Sequence, residues 1–200
     1  MAGLLVSDPL AAAVRATRDI DAVVDIRRHL FHRLEEQVAD CGFRRDATSD
    51  VICRWVHADS GLVFDLMPAH SDVLGFSNSW YPYAIQTAMD TDLGEGVAIR
   101  LVTAVAFVAT KLEAFSSRGR NDALMSHDLE DVLNIVDGRE ELALELAEAP
   151  EDVNGFIRRS FDQLLADEGF RNVLPGLLAD PSRTELVLQR MKSMSSNGGL

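Results

Sequence analysis

The stretch Arg18-Asp19-Ile20-Asp21-Ala22-Val23-Val24-Asp25-Ile26 decides the fold. It is rich in β-branched residues and alternates, imperfectly, between polar and apolar, which predicts a strand over 18–26. Side chains at i and i+2 of a strand share a face. Asp19 and Asp21 therefore stand side by side, while Ile20 and Ala22 turn to the opposite layer. A helical pattern from Arg28 to Asp40 follows and is closed by Gly42, so a strand leads directly into a helix.

Downstream, the apolar runs Val51–Val56 and Leu62–Met67 are separated by Ala58-Asp59-Ser60-Gly61, a turn-forming string that predicts a β-hairpin. Asp90–Leu93 and Val97–Leu101, split by Gly94-Glu95-Gly96, predict a second hairpin, with a short helix over Trp80–Ala88 between the two pairs. From Thr103 the pattern turns helical. Ala104–Ser117 carries Val105, Val108, Leu112 and Phe115 on one face, with Thr103 as N-cap. Leu129, Val132, Leu133 and Val136 repeat that spacing, with Ser126 as cap and Gly138 as stop. Glu140–Ala149, Glu151–Gly169 and Thr184–Met191 read as further helices, punctuated by Pro150, Pro175 and Pro181. The expected fold class is α+β. A mixed β-sheet with flanking helices fills residues 1–102, a helical subdomain fills 103–194, and 195–200 form a disordered tail.

A chain of 200 residues with 47% hydrophobic content can bury one good-sized core. Its net charge of -13 argues against a broad nucleic-acid surface, because phosphate neutralisation needs clustered Lys and Arg. Arg118-Gly119-Arg120 is the best local basic candidate, although a solvated loop after a helix is the reading its position favours. No run approaches the ~20 apolar residues needed to span a bilayer. Gly3-Leu4-Leu5-Val6 has no basic flank and meets Asp8-Pro9, so no signal peptide is expected. The expected location is cytoplasmic, with Cys41 and Cys53 as reduced thiols.

The acids carry the candidate chemistry. Asp65 interrupts the apolar run Leu62-Val63-Phe64-Asp65-Leu66-Met67, where a buried carboxylate demands a cation or a polar cleft; it reads alternatively as a solvated strand end. With Asp19 and Asp21 it would form three hard oxygen ligands on adjacent strands, a set suited to Mg²⁺ and nucleotide phosphates. The pattern alone is weak, since among 20 aspartates in 200 residues Asp-x-Asp arises by chance roughly twice, and Asp90-x-Asp92 is a second copy. His127-Asp128 has no accompanying set of histidines for a metal phosphohydrolase. His29 and His32, one helical turn apart, read as a solvated face, and Trp80-Tyr81 as core or lid packing.

Several ordered blocks add to this reading. Arg15-Ala16-Thr17-Arg18-Asp19-Ile20-Asp21-Ala22-Val23-Val24 is similar to the R-x-T-x-D-x-D strand of the AbiEii/AbiGii toxin-type nucleotidyltransferases, within the polymerase β-like nucleotidyltransferase superfamily. Phe64-Asp65-Leu66-Met67-Pro68 resembles that group's third-carboxylate strand, and Leu74-Gly75-Phe76-Ser77-Asn78-Ser79-Trp80-Tyr81-Pro82 resembles a segment of one bacterial subgroup. Ala109-Thr110-Lys111-Leu112-Glu113-Ala114-Phe115 and Ser126-His127-Asp128-Leu129-Glu130-Asp131-Val132 resemble the family's Lys-bearing helix and its Asp-x-x-Asp helix. Together these blocks cover about residues 10 to 140.

The resemblance implies a nucleotidyltransferase-like sheet and a Mg²⁺-dependent transfer of a nucleoside monophosphate from an NTP to an acceptor such as a tRNA 3′ end. It also implies an antitoxin protein as partner. Asp19, Asp21 and Asp65 would be the metal ligands and catalytic acids, Thr17 and Lys111 would hold the nucleotide, and Asp128 would support the site. Read from the residues alone, Lys111 fits equally a stem lying along the core with a solvated ammonium, and Asp128 a carboxylate favoured by the helix dipole. The family's site also begins with a Gly-Gly or Gly-Ser turn that cradles phosphate. Ala2-Gly3 is the nearest match here, and Ser7 has no neighbouring glycine. The expectation is a core without an intact turn, the Asp19 strand short of one neighbour, residues 1–14 forming only a helix or an arm, and Lys111 and Asp128 bordering the cleft of the three acids. The rival reading is a non-catalytic relative acting through a protein partner.

Overall fold

The alternation around Asp19 becomes strand β1 (Asp19–Val24), and the helical pattern behind it becomes α1 (Arg28–Asp40), followed by Gly42 at φ +87°. The computed structural model describes residues 2–11, 19–118 and 123–196. Thr17 and the other residues of the motif that precede Asp19 lie outside these, as do Gly119 and Arg120.

After α1 come β2 (Phe43–Arg45), β3 (Arg54–His57) and β4 (Val63–Pro68), then the single turn α2 (Ser71–Leu74) and α3 (Tyr81–Thr87). The four strands form one sheet in the order β1-β4-β3-β2, with β1 parallel to β4 and the other pairings antiparallel. The expected hairpin is therefore β3–β4. Its turn closes through the Gly61 amide donating to the His57 carbonyl at 2.9 Å and the His57 amide donating to the Leu62 carbonyl at 2.8 Å. One face of the sheet buries Trp55 and Leu66 against Phe31 of α1, with Phe64, Val24, Leu34 and Val38 packed around them. Among the described residues β1 pairs with β4 alone and lies at the edge of the sheet.

The chain divides into two compact units. The first is the sheet with its helices, residues 19–86 of those described; the second joins residues 2–11 to 87–196. The division falls at Gln86/Thr87 and not at 102/103, so the second hairpin, β5 (Met89–Asp92) with β6 (Ala98–Leu101), groups with the helices as a separate two-stranded sheet.

The helices of that unit are α4 (Ala104–Arg118), α5 (His127–Gly138), α6 (Leu142–Glu148), α7 (Glu151–Ala166), α8 (Glu168–Leu177) and α9 (Thr184–Ser193). Its centre is α5, whose Leu129, Val132, Leu133, Ile135 and Val136 have no exposed surface. Helices α4 and α9 pack on it, and α7 packs on α4, α8 and α9. Ser126 caps α5 as expected, its Oγ accepting from the Leu129 amide at 3.2 Å. Two expectations need correction. The single helix expected over Glu151–Gly169 is broken at Asp167, whose carboxylate accepts from the Gly169 and Phe170 amides and caps a new helix. Pro175 does not punctuate but sits inside α8, where only Gly176 and Leu177 follow, so the missing N–H removes one bond from a last turn.

Ser195, expected in a disordered tail, is buried, and its carbonyl accepts from Arg158 at 3.1 Å. The N-terminal residues are also docked. After a 3-10 turn over Ala2–Leu4, the Ser7 and Asp8 amides both donate to the Gly138 carbonyl, at 2.8 and 2.9 Å. Gly138 ends α5 without a positive φ; its role is close approach, because a Cβ there would lie 2.8 Å from both Val6 methyls. Gly138→Ala should therefore lift this segment, at a cost of about 1–3 kcal/mol. A lower urea midpoint, together with faster hydrogen exchange at the Ser7 and Asp8 amides, would register it; an unchanged midpoint would show that the segment yields freely.

Candidate functional site

The site is set by strand register. Asp21 of β1 lies opposite Asp65 of β4, and Asp65 lies opposite Arg54 of β3. Directly opposed residues turn their side chains to the same face, so Asp21, Asp65 and Arg54 form a row across three strands, with Asp19 two residues along β1 on that face. The other face carries Trp55, Phe64 and Leu66 toward α1. The geometric expectation for the three acids is thus met at the level of strands and faces.

The surroundings of the acids differ. Asp19 is exposed, Asp21 is half-buried, and Asp65 is buried at 7% exposure. Both Asp65 oxygens are taken by one guanidinium: Arg54 Nε donates to Oδ1 at 2.9 Å and Nη2 to Oδ2 at 2.7 Å. That bidentate hydrogen bond holds the Arg54 pKa far above its ordinary value, and the charges of Asp65 and Asp19 add to the effect. Cys53, next to Arg54 and 3% exposed, has its thiol pKa pushed up by burial first and then by the negative charges of Asp65 and Asp21. Tyr81, at the start of α3, is buried and donates its hydroxyl to the Met67 sulfur at 3.0 Å, which fits the packing reading of this aromatic.

Carboxylate oxygens are the right donors for Mg²⁺. As arranged, however, Asp65 presents its oxygens to Arg54, and among the described residues no group of three or more His, Cys, Asp or Glu side chains is placed to hold a metal ion. The row does not fit a three-carboxylate metal centre in this arrangement.

Lys111 and Asp128 belong to the helical unit and are brought together there. The Lys111 ammonium lies 2.7 Å from Asp131 Oδ2 and 3.3 Å from Asp128 Oδ1, and 5.5 Å from the Phe107 ring centroid. Both acids of the Asp-x-x-Asp pattern therefore face one lysine, and Asp128 also stands in the first turn of α5, where the helix dipole favours it. His127 turns to Glu130 of its own helix at 3.0 Å. His29 is exposed, and His32 is exposed with Glu35 and Glu36 beside it, as a solvated face predicts.

Sequence reasoning missed Arg54 and did not separate Asp131 from Asp128. The signal for Arg54 was present: a charged residue inside the apolar run Val51–Val56, in a hairpin whose partner run holds Asp65. The chain matches no family model and no curated protein. The motif resemblance stands on the residues quoted above.

Removing Asp65 strands a part-buried guanidinium, so Asp65→Ala should lower stability by about 2–4 kcal/mol, whereas exposed Asp19→Ala should change it by no more than about 0.5 kcal/mol. Equal urea midpoints for the two variants would contradict the assigned pair. The raised Cys53 pKa leaves little thiolate at neutral pH, so iodoacetamide should alkylate exposed Cys41 readily and reach Cys53 only on unfolding. Mass spectrometry of the native and denatured protein distinguishes the two sites.

Proposed function

We propose that this protein is a nucleotidyltransferase-like enzyme that moves a nucleoside monophosphate from an NTP to an acceptor. A tRNA contacted locally is the candidate acceptor, and a cognate antitoxin protein the candidate partner of a toxin-like system. The observation that carries this reading is the register of Asp21 with Asp65, which puts the motif's acids on one sheet face. The pairing of Lys111 with Asp128 and Asp131 supports it further, because the fourth and fifth resembling blocks meet in space.

Nucleotidyl transfer requires an acceptor hydroxyl to attack the α-phosphorus while pyrophosphate leaves. Asp21 and Asp19 are the motif acids proposed to take the hydroxyl proton, and Asp65 is held by Arg54. Lys111 suits phosphate charge, and a phosphate would replace one of its two carboxylates. Mg²⁺ and the NTP enter with the resemblance. The alternative is a fold relative without catalysis, acting through a protein partner, and the observation in its favour is the Arg54–Asp65 pair.

Incubation with each labelled NTP, Mg²⁺ and total RNA or protein should label an acceptor, and Asp21→Ala should reduce labelling by roughly a hundredfold or more. Mg²⁺ and the preferred NTP together should also raise the melting temperature, since a ligand at ~100 times its Kd stabilises the state it binds by about 2.7 kcal/mol. Absence of both labelling and stabilisation would transfer the assignment to the non-catalytic reading.

A further inference from the structure

We infer that the open groove at the start of α1 is a binding site for a phosphate-bearing ligand, held by Arg27 and Arg28. The groove lies past the end of β1, whereas Asp19 and Asp21 stand at that strand's beginning, so the site does not depend on the acid row.

The chain carries 32 Asp and Glu against 19 Lys and Arg, yet the seven residues Arg27-Arg28-His29-Leu30-Phe31-His32-Arg33 hold three arginines, two histidines and no acid. Phe31 is buried in the core, and the other six are exposed. These arginines also lack counter-charges. Arg45, Arg54, Arg139, Arg183 and Arg190 each meet a carboxylate, whereas among the described residues Arg27, Arg28 and Arg33 meet none. The acid that precedes them, Asp25, is held by His70 at 2.8 Å. Arg27, Arg28, His29 and His32 line the groove together with Asp72 of α2, and its volume of about 580 Å³ falls in the range of small-molecule sites. His32 is shared with Glu35 and Glu36, at 3.7 and 3.4 Å, which leaves Arg27, Arg28 and His29 as the donors open to a ligand. Positive groups gathered on one wall of a groove repel one another and focus a positive field into it. The first turn of α1 holds no acid to offset them, so the helix dipole adds to that cost. A phosphate group relieves both terms, because guanidinium forks match its oxygens. Asp72 would repel the anion from the α2 side, so the phosphate belongs against α1.

Calorimetric titration of the full chain with pyrophosphate, with ATP and with a short oligouridylate tests the site, with EDTA present so that no metal-dependent binding contributes. At least one probe should bind, and Arg27→Gln/Arg28→Gln should weaken it about tenfold or more, the range expected when charge-assisted hydrogen bonds are lost. For the oligouridylate, the slope of log affinity against log salt should also become shallower by about 1.4, two phosphate contacts at about 0.7 each. A purely structural role for the arginines would leave that slope unchanged. Arg28→Gln alone carries the comparison if circular dichroism shows that the double variant does not fold. Binding of pyrophosphate or ATP that the variants lose assigns the groove to a free phosphate compound, and such binding of the oligouridylate alone assigns it to an RNA backbone. Equal affinity in the wild-type protein and the arginine variants, or no binding of any of the three probes, would overturn the site. Capture by vesicles of phosphatidylserine and phosphatidylcholine with no soluble probe bound would also overturn it, and would give the patch to a membrane surface.

Discussion

A carboxylate buried in the middle of a sheet needs a counter-charge close at hand, and at Asp65 that requirement organises the whole sheet unit. Arg54 meets it from the neighbouring strand with two hydrogen bonds. Because side chains alternate along a strand, placing Arg54 and Asp65 on one face commits Trp55, Phe64 and Leu66 to the other, where α1 covers them. A slip of one residue between β3 and β4 would bury the charges under α1 and expose the core. The ion pair and the apolar face thus specify the same register from opposite sides, and β1 inherits it through its parallel pairing with β4.

The helical unit meets a similar demand at α5. A helix buried along its length leaves its terminal backbone groups to be satisfied by other elements. At the C-terminal end, Arg183 Nη2 donates to the Asp137 carbonyl at 3.1 Å, and Arg190 donates to the Val136 carbonyl at the same distance. Arg183 also pairs with the Asp137 carboxylate at 2.6 Å and with Asp8 at 2.7 Å, so one cation joins the helix end to the N-terminal segment. At the other end, Ser126 caps the helix and Asp128 and Asp131 share Lys111. Cations at the C-terminus and carboxylates near the N-terminus both oppose the helix dipole.

Much of this was legible in the residues. The strand at Asp19, the helix over Arg28–Asp40, both hairpins and the caps of α4 and α5 follow from local chemistry that acts within a few positions. The membership of the second hairpin was not legible, because whether residues 89–101 complete the sheet or stand apart depends on pairings that no local pattern records. The break at Asp167 was written in the sequence as a capping residue inside an apolar-periodic run, where the periodicity outweighed it in the reading. The acid row was legible in its faces but not in its chemistry: alternation shows where Asp65 points, and only the cross-strand register shows that Arg54 is waiting there. Lys111 was likewise placed on the right helix, yet its two partners depend on how α4 meets α5.

The docking of residues 2–11 on the end of α5 makes the helical unit discontinuous, with the sheet unit threaded between its first segment and the rest. During synthesis residues 2–11 therefore have no binding site until Gly138 and Arg183 have been made. The described sheet unit, by contrast, is one continuous stretch, residues 19–86. Assembly order then departs from chain order, since residues 2–11 precede the sheet unit in the chain. Residues 2–11 are among the last to find their place, and closing them onto α5 joins contacts more than 130 positions apart, as between Ser7 and Glu141.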